Sequence, residues 1–79
     1  MNTRPINEIA SEIYQNWGSK INFAAKPYLK AMTFLDKPTD KYIHDSGREI
    51  VLLFLCNATT YRGETARRVK AELKKLLGI

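Results

Sequence analysis

The sequence predicts an all-α protein, a compact bundle of about four short helices forming a single helical domain over residues 1–79. Three observations predict it. Apolar residues recur at helical spacing in four stretches. Gly, Pro, Ser and Asp collect between those stretches, where a chain turns. Apart from one apolar run that suits either class, no segment reads as a strand, and a lone strand has no ladder partner.

The first helix is expected from about Pro5 to Asn16. Ile6, Ile9, Ala10, Ile13 and Trp17 fall on one helical face. Thr3 is a suitable cap, and Pro5 is tolerated in a first turn, where its missing N–H would have had no partner. Gly18 and Ser19 end the segment. The second helix is expected from about Phe23 to Leu35, because Ala24, Tyr28, Ala31, Met32 and Leu35 keep helical spacing. Pro27 then belongs to its first turn. Asp36-Lys37-Pro38-Thr39-Asp40 reads as a loop.

The third helix is expected from about Ser46 to Asn57, capped by Asp45 or Ser46. Ile50 to Leu55 are apolar all round, which places this helix at the centre of the bundle. The same run also suits a buried strand, but it would be the only one. The fourth helix is expected from Thr60 or Tyr61 to Leu77, with Gly78 as its C-cap. Ala66, Val69, Leu73, Leu76 and Leu77 share one arc of its surface. Arg67, Lys70 and Lys74 flank one side of that stripe, and Arg68 and Lys75 the other.

Composition, 44% hydrophobic and 27% charged, belongs to a globular chain and not to a disordered one. A domain this small buries a low fraction of its surface, so self-association is a common remedy, and a homo-oligomer is one expectation. The single cysteine, Cys56, excludes an intramolecular disulfide, and with the lone His44 it cannot build a zinc site. No metal and no cofactor are expected. Cys56 reads as a buried small hydrophobe. Residues 1–20 lack the apolar core of a leader, and Ile50–Cys56 is far shorter than a bilayer span. The expected location is therefore the cytoplasm, away from membranes.

Formal net charge is +5, and its distribution is uneven. Residues 1–61 carry seven Lys/Arg against six Asp/Glu, whereas residues 62–79 carry six against two. The excess charge lies on the last helix.

The densest chemical cluster runs from Asn57 to Arg68, where that helix begins. Thr59 and Thr60 are natural N-caps. A helix N-terminus favours an anion, and Gly63 allows close approach. Tyr61 offers a flat face for stacking. Arg62, Arg67 and Arg68 offer forked donors for phosphate. Asn57, Tyr61, Arg62, Glu64, Arg67, Arg68 and Lys70 are thus the candidate ligand-binding residues. The competing reading is a solvated basic face, in which Glu64 pairs with Arg67 or Arg68 and Arg62 meets a carboxylate such as Asp45. Tyr14, Trp17, Phe23, Tyr28, Phe34, Tyr42 and Phe54 have core-like spacing, with Trp17, beside Gly18, the one expected to be partly exposed. His44 reads as a surface or capping residue. No nucleophile–base arrangement, glycine-rich phosphate loop or paired-carboxylate motif stands in the chain, so no catalytic residues and no enzymatic activity are expected.

The block Tyr61-Arg62-Gly63-Glu64-Thr65-Ala66-Arg67-Arg68-Val69-Lys70-Ala71-Glu72-Leu73, preceded by Asn57-Ala58, resembles one that recurs in small uncharacterised proteins of tailed bacteriophages. Ile9 to Ile13 ahead of Trp17, Pro27 to Met32, and Asp45-Ser46 are also similar, so the resemblance covers most of the chain. The family usually has Trp where this chain has Tyr61, which keeps a flat ring. The resemblance implies a genomic setting, with the host cell cytoplasm as location, and no mechanism. It favours two roles, handling nucleic acid or countering a host defence. Three functions follow: sequestering a phosphate-bearing ligand such as a nucleotide signal, binding nucleic acid, or docking a helical face on a host or phage protein.

Overall fold

A computed structural model describes residues 4–79, and the expected cap at Thr3 lies outside the described residues. Four helices follow in order, α1 (Ile6–Trp17), α2 (Lys26–Met32), α3 (Gly47–Asn57) and α4 (Glu64–Leu77). A 3-10 turn (Gly18–Lys20) follows α1, and a small hairpin, β1 (Lys41–Tyr42) with β2 (Asp45–Ser46), precedes α3. The architecture is mostly helical, as the patterning predicts, with this antiparallel hairpin as an addition. The hairpin pairs Lys41 with Ser46 and Tyr42 with Asp45 across a two-residue loop, Ile43-His44. Strands of two residues are too short to show a period, and Ile43 at φ 61° is not a residue that announces a turn.

α1 starts at Ile6, one residue later than expected, with Pro5 as its extended N-cap and no side-chain cap. Its unpaired first N–H groups find tertiary partners instead. Ile6 N donates to Asp36 O and Asn7 N to Leu35 O, both at 2.9 Å. α2 is shorter than the expected Phe23–Leu35. Asn22 Oδ1 accepts from Ala25 N at 2.7 Å and makes a turn of residues 22–25. At the other end Thr33, Phe34 and Leu35 bond three residues back, to Lys30, Ala31 and Met32.

α3 begins where expected. Ser46 and Glu49 form a reciprocal capping box. The backbone enters α3 close against the preceding loop, with Arg48 N donating to Pro38 O at 2.9 Å. Its expected central position is corrected, because only the face of Ile50, Val51 and Phe54 is buried, while Leu53 and Cys56 are exposed. Cys56 is therefore a surface thiol and not a core residue. α2 and α4 pack on α3 and leave its other side to solvent. α4 starts later than expected, at Glu64, with Gly63 as N-cap in place of Thr59 or Thr60. It ends on Gly78 in the left-handed conformation, where Ile79 N donates to Lys74 O at 3.0 Å.

The core is one cluster built from Ile6, Ile9, Ala10 and Ile13 of α1, Leu29 and Met32 of α2, the α3 face, and Ala66, Val69, Leu73 and Leu77 of α4. α1 lies against both α2 and α4, and α3 packs on α2 and α4. Of the aromatics, Phe54 and Trp17 are buried, and Tyr14, Tyr28 and Tyr42 pack partly against the core. Phe23 and Phe34 are exposed, contrary to their spacing, because both lie in the turns that flank the shortened α2. No described helix is long and apolar enough to cross a membrane.

Candidate functional site

The corner at the start of α4 is built on Tyr61. Its ring is only 2% exposed and stacks on Trp17, with centroids 4.6 Å apart and planes at 21°. Trp17 in turn meets Phe54 edge-on at 6.3 Å. The Tyr61 hydroxyl donates to Asn16 Oδ1 at 2.9 Å, and burial pushes the phenol's pKa up. Trp17 is thereby drawn into the core, against its expected partial exposure. The flat face of Tyr61 is used internally and is not open to a ligand.

Three further candidates also serve the fold. Lys70 Nζ donates to Ala58 O at 2.7 Å and to Tyr61 O at 2.6 Å, and lies 5.7 Å from the centre of the Tyr61 ring. It ties the loop between α3 and α4 to the body of α4. Burial first, then the charges of Lys74 and Arg62, hold its ammonium below the usual lysine range. Asn57 turns its amide back to Leu53 O at 2.8 Å, and its carbonyl accepts from Asn22 Nδ2 at 2.9 Å. Arg68 pairs with Glu12 of α1 and not with Glu64.

Arg62, Glu64 and Arg67 remain, all exposed. Arg62 Nε reaches only Thr59 O, at 3.4 Å. Among the described residues neither Arg62 nor Arg67 has a carboxylate partner, so the expected Arg62–Asp45 and Glu64–Arg67 pairs do not form. A shallow concavity of about 340 Å³ lies between the two arginines, lined also by Tyr61, Gly63, Ala66 and Lys70. Gly63, at φ 113°, caps α4 without a side chain over the first N–H groups. On the far side of Arg62 a second concavity of about 520 Å³ is lined by Asn16, Trp17, Thr60 and Lys20. Lys20 was not among the residues the sequence singles out. Nothing in its local spacing marks it, because the 3-10 turn after α1 is what carries it to the α4 corner. Glu64, in the first turn of α4, partly offsets the helix's own positive end, and the carboxylate of Glu12 also acts on Tyr61.

The acids of the α1–α4 seam are occupied elsewhere. Arg4 grips Glu72 with two bonds, Nε to Oε2 at 2.9 Å and Nη2 to Oε1 at 2.7 Å, and its Nη2 lies 2.8 Å from Glu12 Oε1. Arg68 holds the carboxylate of Glu12 chiefly, and Arg4 that of Glu72, well below the usual range. This network was also unmarked in the sequence, since Arg4 and Glu72 stand 68 residues apart. His44 is exposed in the hairpin loop, and among the described residues no cluster of three His, Cys, Asp or Glu is placed to hold a metal. Comparison with protein-family models, curated proteins and solved structures finds no match to this chain.

Proposed function

We propose that this chain is a non-catalytic binding protein for a phosphate-bearing ligand, held at the start of α4 by Arg62 and Arg67. One observation carries the reading: two exposed arginines, neither paired with a carboxylate among the described residues, line one concavity. A lone exposed arginine is ordinary. Two at a helix start that has no side-chain cap, with Lys20 and Lys74 adding to the same field, leave positive potential that an anion neutralises. The roles of the seven candidate residues divide accordingly. Arg62 and Arg67 contact the ligand, Glu64 sets its limit on approach, and Asn57, Tyr61, Arg68 and Lys70 hold the corner in shape.

In the setting that the resemblance to phage proteins suggests, such a protein acts by stoichiometric capture. Its targets would be a nucleotide signal of host defence or nucleic acid itself. Arg62→Ala and Arg67→Ala test the site, because neither side chain supports the fold. Each should lose binding to a panel of nucleotides and DNA by isothermal titration while keeping its helix content and melting temperature. A parent protein that binds nothing in the panel, or variants that bind as the parent does, would end the proposal.

A further inference from the structure

Phe23 is the most exposed large apolar side chain among the described residues, at 92%. Phe34, also exposed, stacks on Tyr42 at 5.4 Å, whereas among the described residues Phe23 forms no such ring pair. A phenyl ring left in water forgoes the stabilisation that burial would bring. The backbone that carries it is nonetheless anchored. Asn22, the residue before it, donates to Asn57 O and to Thr60 Oγ1, each at 2.9 Å, and accepts from Ala25 N. Phe23 thus stands on an anchored turn, beside a concavity of about 460 Å³ walled by Tyr14 and Pro27 and flanked by Lys26 and Lys30.

The same anchor joins this groove to the α4 corner. Thr60, which Asn22 grips, lines the concavity shared by Lys20 and Arg62. Lys20 lies three residues before Phe23, and Tyr14 lies one helical turn before Trp17. The three neighbouring concavities together present six cations (Lys20, Lys26, Lys30, Arg62, Arg67 and Lys70) and not one Asp or Glu. The concavity over the α1–α4 seam differs from them, its Glu8 and Glu12 balancing Arg4 and Arg68 in the lining.

We propose that the phosphate-bearing ligand is a single-stranded nucleic acid, with an unpaired base stacked on Phe23 in the Tyr14–Pro27 groove and its backbone running over Lys20 to Arg62 and Arg67. This rests on the phosphate reading of the α4 corner and names its ligand class. A single strand offers a flat π-face and a phosphate at each step, matching an aromatic set among cations. A duplex keeps its bases stacked on each other and has no free face for Phe23. An acidic peptide would satisfy the lysines but has no repeating flat group.

The experiment is fluorescence anisotropy with a labelled oligothymidylate, a duplex of equal length, and an acidic amphipathic peptide, each across a salt series. The parent should bind the single strand more tightly than the duplex. Phe23→Ala should weaken single-strand binding roughly five- to hundredfold, and Phe23→Trp should restore it. Because Phe23→Ala removes no charge, the slope of log affinity against log salt should stay at the parent's value, whereas Lys20→Ala and Arg62→Ala should reduce it. Single-strand binding unchanged in Phe23→Ala but lost in Arg62→Ala would overturn the stacking site and leave the phosphate reading standing. Equal affinity for the duplex would overturn the single-strand assignment. Binding of the peptide alone would overturn both.

Discussion

Truncating Tyr61 to alanine is the sharpest test of how the α4 corner is built. The ring is buried, stacked on Trp17 and has Lys70 Nζ over it. Removing a buried aromatic side chain costs roughly 3–5 kcal/mol in transfer and cavity terms. A domain of 79 residues has a total stability of roughly 4–12 kcal/mol. For a domain of this size each kcal/mol shifts the melting temperature by roughly 4–8 °C. Tyr61→Ala should therefore melt at least about 12 °C below the parent, and it should not fold if the parent's stability lies near the low end of that range. Tyr61→Phe keeps the stack and loses only the bond to Asn16, which is exposed and can rehydrate. It should cost about 0.5–1 kcal/mol, a few degrees. Thermal melts by circular dichroism measure both, and the near-ultraviolet signal of Trp17 reports the stack. A Tyr61→Ala melting within about 4 °C of the parent would refute the reasoning. It would return the ring to the surface as a stacking group.

Two further outcomes follow from the packing. Glu12 and Glu72 titrate below their unfolded range, so their contribution is present above about pH 4.3 and is lost as pH falls through their folded values. Glu72→Gln should thus cost roughly 1 kcal/mol at neutral pH and flatten the fall in stability below pH 5, by urea unfolding at a series of pH values. Parallel curves would mean that the Arg4 clasp contributes nothing. Gly47→Ala should cost roughly 1–3 kcal/mol of stability, read as a lowered urea midpoint. Its Cβ would stand 2.9 Å from Lys37 O and 3.2 Å from both Cα and O of Pro38, all backbone atoms that cannot swing aside. An unchanged midpoint would show that the loop at residues 37–38 yields freely.

Local chemistry made much of the fold legible. Ser46 followed three residues later by Glu49 is a capping box in sequence and in structure. Gly78 stops α4 as its position implies, and of the expected stripe Ala66, Val69, Leu73 and Leu77 are buried and Leu76 partly so. Where the reading fell short, a contact distant in sequence decided the outcome. α1 needed no cap of its own kind because the carbonyls of Leu35 and Asp36 serve it. α2 lost its ends to an Asn22 turn and to Thr33, whose hydroxyl bonds Lys30 O at 2.6 Å. The candidate site was legible as a location, with its division of labour hidden. Tyr61, Arg62 and Lys70 look alike as site residues along the chain, yet only Arg62 of the three faces solvent without a structural duty.

The sequence by itself determined the helical class, the helix boundaries at Gly18, Ser46 and Gly78, and the concentration of positive charge on the last helix. Those properties follow from spacing and residue type within a few turns of one segment. Tertiary structure decided which cations are spent on carboxylates and carbonyls and which stay free. It also decided that Phe23 is left outside and that Lys20 joins the α4 corner. Each of these depends on which surfaces meet when four short helices close around one core, and a pattern read along a single helix holds no information about what packs against it.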